Sequence, residues 1–395
     1  MKKKILFIIP YLIGGGALKT VSNLSKEFLK KYDVTVVGIY GSEKKFDFDC
    51  NLIDLNMHHQ KNIFKKFKDF LYIRKKIKMI KEHDNFAFSI SFLVIADFVN
   101  VLTKSKNKEK TIISIRNIES IEYKNKWYRR FQVKYSSKKA DYIIAISKEV
   151  EDDMINNFGV KKNKIRTIYN PCILNHSNND IDDSLIEPDK TVITLGGLKN
   201  QKGQWHLIRA FSRVVEKIPN AKLLIFGKGD LKDYLEELIK QMKLSKNVFL
   251  MGYIIGPYEY VKKSNLFVFS SLFEGLGNAM MEALKCGVPV ISTDYTSGAR
   301  EILAPRTNYK IKIKDKIDFA EYGILVPVCD GNKYESTNPL TKEEILLADA
   351  IYKVLIDKNV NKKYSIQSKK RANDFDIKNI SNQWYELFDE LEEIL

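Results

Sequence analysis

The chain is predicted to be an α/β protein made of two doubly wound, Rossmann-like domains. Three observations carry that prediction. Strand, glycine loop, helix and strand follow one another at the N-terminus, the same order begins again near Thr191, and 395 residues at 44% hydrophobic suffice for two cores.

In order, residues 4–10 read as a strand, Gly14 to Gly16 as a loop, and residues 17–31 as a helix with Val21, Leu24, Phe28 and Leu29 inward. The next strand is DVTVVGIY at 33–40. The basic, apolar start MKKKILFIIPYLIGGG invites comparison with a signal peptide. No A-x-A-like cleavage site follows it, and it runs straight into a glycine loop and helix, so a first strand is the better reading. The loop G-G-G-A-L-K lacks the G-x-G-x-x-G spacing and a usable following acid, which weakens a dinucleotide site.

Residues 61–81 carry nine Lys or Arg and one acid, with Ile63, Phe67, Phe70, Ile77 and Ile80 at helical spacing. Two readings stay open. The helix lies on an anionic lipid surface, or its apolar face packs on the sheet. The apolar stretch 86–102 is broken by Ser89, Ser91, Asp97 and Asn100; it is too short and polar for a membrane span and reads as a strand followed by a buried helix from about Ile95. Strands follow at 111–115, ending at Arg116 and Asn117, and at 140–147, with a helix from Lys148 and a further extended run at 164–169. From Asn170-Pro171 to Lys190 the chain is polar and pattern-free, which marks a linker.

The second half opens with TVITL at 191–195 and the loop GGLKNQKGQ, then a helix at 206–217. A strand at 221–226 leads into Gly227-Lys228-Gly229-Asp230, with the next helix at 232–243 and a strand at 247–253. The stretch 269–292, FSSLFEGLGNAMMEALKCGVPVIS, organises the rest. A strand at 265–270 meets Gly275 and Gly277; Asn278 is expected to cap a helix to Cys286, and Gly287 and Pro289 end it before the strand at 288–292. Such a loop offers N–H groups at the positive end of a helix dipole, so it suits an anion. Glu274 and Glu282 frame it. A sugar nucleotide reconciles acid with anion site, having hydroxyls for a carboxylate beside a diphosphate for the N–H groups.

Glu274, seven intervening residues and Glu282, within EGLGNAMMEALKCGVPVI, resemble the E-x7-E motif of glycosyltransferase family 4, retaining enzymes of the GT-B fold. The resemblance implies two Rossmann-like domains facing across a cleft, residues 1–185 binding acceptor and 186–369 the nucleotide sugar, with 370–395 a helix crossing back to the first domain. It further implies that Glu282 binds the ribose, Glu274 holds a donor-sugar hydroxyl, and Lys202, matching G-x-L-x-x-x-K-G with Gly196, Leu198 and Gly203, meets the diphosphate. Gly15, Gly16, Gly197, Gly229, Tyr253, Gly275, Leu276, Gly277 and Asn278 complete the expected nucleotide-sugar site, and Glu274, Lys202 and Arg116 the expected catalytic set. The sequence departs from the family pattern in three places. Leu18 and Lys19 replace a Glu-Arg pair, Gly197 stands where an arginine is usual, and Arg116 stands where a histidine is usual. Arg116 cannot transfer protons, though it can contact sugar or phosphate, and Arg300 or Arg116 is expected to help Lys202 neutralise the diphosphate.

The implied activity is transfer of a hexose or N-acetylhexosamine from a nucleotide sugar, with a uridine diphosphate donor preferred, to a lipid-linked or polysaccharide acceptor at the cytoplasmic face of a membrane. No cofactor or metal is expected: five histidines show no metal spacing, and the four cysteines show no C-x-x-C, which favours reduced thiols. Residues 1–180 hold 35 Lys and Arg against 19 Asp and Glu, so +16 of the net +17 lies there. That half must meet something acidic. The alternatives are a nucleotide-sugar epimerase of the same fold, or a non-catalytic basic module binding nucleic acid. The second would need interleaved base-stacking aromatics, which are not recognisable, so no nucleic acid is expected.

Overall fold

The computed structural model describes residues 2–13, 15–41, 48–58, 60, 62–105, 109–174 and 181–393. Gly14, Lys61 and residues 175–180 of the expected linker lie outside them. The chain divides into two compact units, Met1–Pro171 with Ile377–Leu395, and Cys172–Asp376. The breaks therefore fall elsewhere than at 185/186 and 369/370. The tail of the expected linker is tied into unit 2, where the Asp182 N–H donates to the Tyr260 hydroxyl and Asp183 pairs with Lys263. At the other end Arg371 donates to the carbonyls of Glu301 and Ile302, which keeps the chain in unit 2 until Asp376.

Unit 1 contains β1 (Lys4–Tyr11), α1 (Gly16–Phe28), β2 (Asp33–Tyr40), β3 (Asn51–Met57), α2 (Ile63–Asp84), β4 (Phe88–Phe92), α3 (Val94–Leu102), β5 (Lys110–Ile115), α4 (Glu119–Glu122), α5 (Trp127–Lys139), β6 (Tyr142–Ala145), α6 (Lys148–Phe158) and β7 (Ile165–Thr167). Its parallel sheet runs β3-β2-β1-β4-β5-β6-β7. The central strands are buried on both faces, which is why β1 reads as an unbroken apolar run. Strand order reverses between β1 and β4. In such sheets ligands bind beyond the carboxyl ends of the strands at that reversal.

Unit 2 contains β8 (Thr191–Leu195), α7 (Gln204–Lys217), β9 (Lys222–Phe226), α8 (Lys232–Gln241), β10 (Val248–Gly252), α9 (Tyr258–Lys263), β11 (Leu266–Phe269), α10 (Asn278–Cys286), β12 (Val290–Thr293), α11 (Ala299–Leu303), β13 (Asp318–Phe319), β14 (Ile324–Val326), α12 (Lys342–Ile356) and α13 (Lys358–Ala372). Its sheet runs β10-β9-β8-β11-β12-β14-β13, parallel except for β13 against β14, and reverses between β8 and β11. The last helix, α14 (Ile377–Glu393), belongs to unit 1: Phe388 stacks on Phe88 with ring centroids 4.3 Å apart and meets Phe28 edge-on. Ile380, Trp384, Leu387, Phe388 and Leu391 recur at helical spacing and form its buried face.

Two local expectations are corrected. Gly277, not Asn278, occupies the N-cap of α10, because the chain enters that helix through a left-handed residue (φ 86°) that glycine adopts without strain. And α2 does not carry one apolar face. Ile77 is buried and Phe70 and Ile80 pack partly against the core, whereas Ile63 and Phe67 are exposed. Lys81, counted among the basic residues, is buried with its ammonium 2.6 Å from Glu109 and donating to Asn100 and Ser89. Leu18, whose role the sequence left open, is a core residue of α1.

Candidate functional site

The site of unit 2 grows from the loops after β8 and β11, the neighbouring strands at which the sheet order reverses. Backbone crowding against the first of these dictates the glycines of the loop after β9. An added Cβ would lie 2.0 Å from the Gly196 carbonyl oxygen at Gly227, and 2.3 Å from that of Leu198 at Gly229. The Leu198 N–H donates to Lys228 O at 3.0 Å and the Gly227 N–H to Gly252 O at 2.7 Å. The ends of β8, β9 and β10 are thus laced together, which brings Gly197, Gly229 and the exposed Tyr253 to one rim.

The second lacing joins the β8 and β11 loops. Gly203 (φ 58°) has no room for a side chain, since a Cβ would sit 2.5 Å from Ser270 O. The Ser270 hydroxyl donates to Lys202 O at 2.9 Å, and the Leu272 N–H to Gln201 O at 2.8 Å. The Lys202 ammonium accordingly reaches Glu274, 2.5 Å from Oε1. Ser271 donates to the same oxygen at 2.8 Å, while Gln201 Nε2 donates to Oε2 at 3.1 Å. The ammonium also lies 5.0 Å from the centroid of the Phe269 ring. The two side chains are 20% and 10% exposed, so the pair is held firmly yet still open to a ligand.

Beyond Glu274 the chain turns tightly into α10. The Gly275 carbonyl accepts from Ser297 Oγ at 2.5 Å and the Leu276 carbonyl from the Tyr295 hydroxyl at 3.1 Å, so the loop is braced from behind by 295–298. A Cβ at Gly277 would stand 2.3 Å from that hydroxyl oxygen. The cap makes no side-chain hydrogen bond to the first turn, and Asn278 opens the helix whose dipole end faces the loop. Glu282 is half-buried one turn further on. Tyr295 and Ser297 were not singled out from sequence; both act on backbone carbonyls, which leave no motif.

Arg300, expected to help neutralise the diphosphate, is committed to carboxylates of its own. It is buried between Asp294 at 2.7 Å and Asp318 at 3.2 Å, and both carboxylates hold its charge in place. The side chain that reaches toward the vacant arginine position is Lys199, whose Cε would be 3.7 Å from a Cβ on Gly197.

In unit 1, Arg116 follows β5 and is buried. Its guanidinium donates to Asn170 Oδ1, to Thr20 Oγ1 at 3.2 Å and to Ser114 Oγ at 3.3 Å, and stacks 5.2 Å from the Phe92 centroid. Thr20 in turn donates to Gly16 O at 2.9 Å, so Arg116 is joined to the Gly15–Gly16 end of α1. Gly15 takes φ 108°, which needs glycine. Burial lowers the Arg116 pKa and Asp97 opposes it; burial also pushes the Asp97 carboxyl up to about 8 against the hydrogen bond from Ser91.

Comparison with known proteins decides the family. Residues 14–175 match the model of Glycosyltransferase Family 4 and residues 177–326 that of Glycosyl transferases group 1. An uncharacterized glycosyltransferase of Methanocaldococcus jannaschii is 37% identical over 91% of this chain and 93% of its own. The chain belongs to glycosyltransferase family 4.

The enzyme is also similar to a Campylobacter jejuni protein named as an N-acetylgalactosamine-N,N'-diacetylbacillosaminyl-diphospho-undecaprenol 4-alpha-N-acetylgalactosaminyltransferase, at 27% identity over 95% of this chain and 96% of that one. Among solved structures, the Anabaena protein HepE in complex with UDP superposes with a TM-score of 0.74 at 18% identity, covering 99% and 100% of the two chains. Sucrose-phosphate synthase from Thermosynechococcus elongatus gives 0.76 at 18% identity over both whole chains. These likenesses establish the GT-B fold of the glycosyltransferase. Among the described residues no group of three or more His, Cys, Asp or Glu is arranged to hold a metal, and no helix is long and apolar enough to cross a membrane.

Proposed function

We propose that the enzyme moves a hexose or N-acetylhexosamine from a UDP-linked donor to a lipid-linked or polysaccharide acceptor, with retention of the anomeric configuration and without a metal or other cofactor. The observation that carries this is the Lys202–Glu274 pair held beside the N-terminus of α10 at the strand reversal. It sets a cation and a helix dipole for a diphosphate next to a carboxylate for sugar hydroxyls. The name of the Campylobacter relative, which specifies a diphospho-undecaprenol acceptor, and the UDP in the Anabaena complex support the acceptor and donor classes.

In this reading Lys202 and Lys199 bind the diphosphate, with Lys199 standing in for the arginine absent at Gly197. Glu282 binds the ribose, Tyr253 and the Gly229 loop border the base, and Glu274 fixes a donor-sugar hydroxyl. The bond from the anomeric carbon to the diphosphate oxygen breaks, a bond to the acceptor hydroxyl oxygen forms on the same face, and the acceptor proton passes to the departing phosphate. The protein's main task is to stabilise charge growing on that diphosphate. Arg116 supplies fixed positive charge at the strand ends of unit 1 and positions the Gly15–Gly16 turn through Thr20. The basic helix α2 holds the enzyme peripherally on an anionic membrane, at the cytoplasmic face where such acceptors are built.

Incubation with UDP-sugars and an undecaprenyl-diphosphate-linked saccharide, with the product's anomeric configuration read by NMR, tests the proposal. Retained configuration without added metal is expected. Inversion, or strict dependence on a divalent cation, contradicts it.

A further inference from the structure

The sequence directed attention to α2, but a second helix of unit 1 has the same character. In α5 the large apolar residues Trp127, Tyr128 and Phe131 are exposed, Trp127 at 80%. Lys124, Lys126, Arg129, Arg130 and Lys134 lie among them without an intervening acid. On α2 the first turns do likewise: Phe64 is 78% exposed beside Phe67, with Lys65, Lys66 and Lys68 around them. Single exposed apolar residues are ordinary, whereas contiguous patches with a charged rim mark an interaction surface.

The two patches are linked by a chain of ring contacts. Phe70 of α2 stacks on Phe98 of α3 at 5.8 Å, Phe98 meets Tyr135 of α5 edge-on at 5.6 Å, and Tyr135 packs against Phe131 at 6.1 Å. Tyr40, at the carboxyl end of β2, is raised chiefly by burial and feels Asp69 of α2 and Arg129 of α5 together. It stacks on the exposed Tyr11, at the end of β1. The surface therefore reaches the strand ends from which the Gly15–Gly16 turn projects.

We infer that α5 and α2 form a two-helix platform that lies on an anionic lipid surface, with Trp127, Tyr128 and Phe131 entering the headgroup layer beside Phe64 and Phe67. Charge selects this occupant. A second copy of the chain pairing through the same face would set lysine and arginine against lysine and arginine, whereas anionic lipid neutralises the rim while its interface accepts Trp and Tyr. The inference rests on the membrane reading of the proposed function and assigns it residues that reading did not contain.

The molecule provides its own probe. Of its three tryptophans, Trp205 is 0% and Trp384 2% exposed, so intrinsic fluorescence that responds to an outside surface reports on Trp127. The full chain is titrated with phosphatidylcholine vesicles containing phosphatidylglycerol, with and without brominated acyl chains, and with heparin as a soluble polyanion. Binding to the anionic vesicles with blue-shifted emission quenched by bromine is expected, and Trp127→Ala with Phe131→Ala should weaken vesicle binding, read by co-sedimentation, roughly tenfold while leaving the thermal midpoint unchanged. Vesicle binding without a shift or quenching would overturn the role of α5 and leave α2 as the anchor. Absence of vesicle binding would overturn both, as would equal binding to heparin with unaltered emission.

Discussion

Lys202 and Glu274 form an ion pair across the two loops that diverge at the strand reversal of unit 2, with 2.5 Å between Nζ and Oε1. The lysine that is to meet a diphosphate is therefore neutralised by the carboxylate that is to hold the sugar. A donor must share Lys202 with Glu274. Glu274→Gln should then bind UDP several-fold more tightly, because Lys202 is left to the phosphate alone, while transfer falls; Lys202→Ala should lower kcat/KM by roughly 10²–10³-fold. Calorimetric titration with UDP alongside turnover measurements separates the two effects.

Gly203→Ala tests the lacing that sets up this pair. At φ 58°, with a Cβ 2.5 Å from Ser270 O, alanine is strained by both backbone and neighbour. A loss of about 1–3 kcal/mol is expected, together with weaker nucleotide binding, measured by urea denaturation and titration.

Within unit 2, Glu344 is buried and accepts from Arg209 Nε at 2.9 Å, with His206 Nδ1 2.8 Å away. Burial alone would raise its carboxyl, but hydrogen bonds from His206, Arg209 and the Thr341 N–H hold it below the ordinary value. Its contribution to stability is thus full above the ordinary carboxylate range and lost as pH falls through the lowered folded value. Glu344→Gln should cost about 3–5 kcal/mol at neutral pH, since Arg209 is left buried without its partner, and should reduce acid sensitivity. Unfolding midpoints between pH 3 and 7, set by those carboxylate values, give the test.

Asp97 in unit 1 behaves oppositely. Burial raises its carboxyl to about 8, so between the ordinary value of 3.8 and that point the folded chain keeps a proton that the unfolded chain releases. Stability from this group is greatest at low pH and declines as pH rises from about 4 to about 8. Asp97→Asn keeps an acceptor for Ser91 and should flatten that decline, which a pH series of thermal midpoints would show.

Much of this was legible in the sequence because it rests on periodicity and glycine. Buried parallel strands such as β1 and β8 are unbroken apolar runs, and the E-x7-E spacing placed Glu274 and Glu282 on a loop and its helix. The strand β3 and the helices α5 and α13 passed unread: β3 is only partly buried, and the apolar residues of α5 point largely outward, so neither shows a clean core pattern. The bracing by Tyr295 and Ser297 works through carbonyls, and the commitment of Arg300 to Asp294 and Asp318 depends on partners that sequence spacing does not bring together. Domain limits moved for the same reason, since the tie of Asp182 to Tyr260 is long-range.

The most direct test of the central claim is the thermal midpoint of the purified protein with UDP, GDP or ADP, without metal, for the wild type and Glu282→Ala. Binding to the folded state raises the midpoint by mass action. The account predicts a rise with UDP that Glu282→Ala abolishes. A protein whose midpoint no nucleoside diphosphate moves would contradict it.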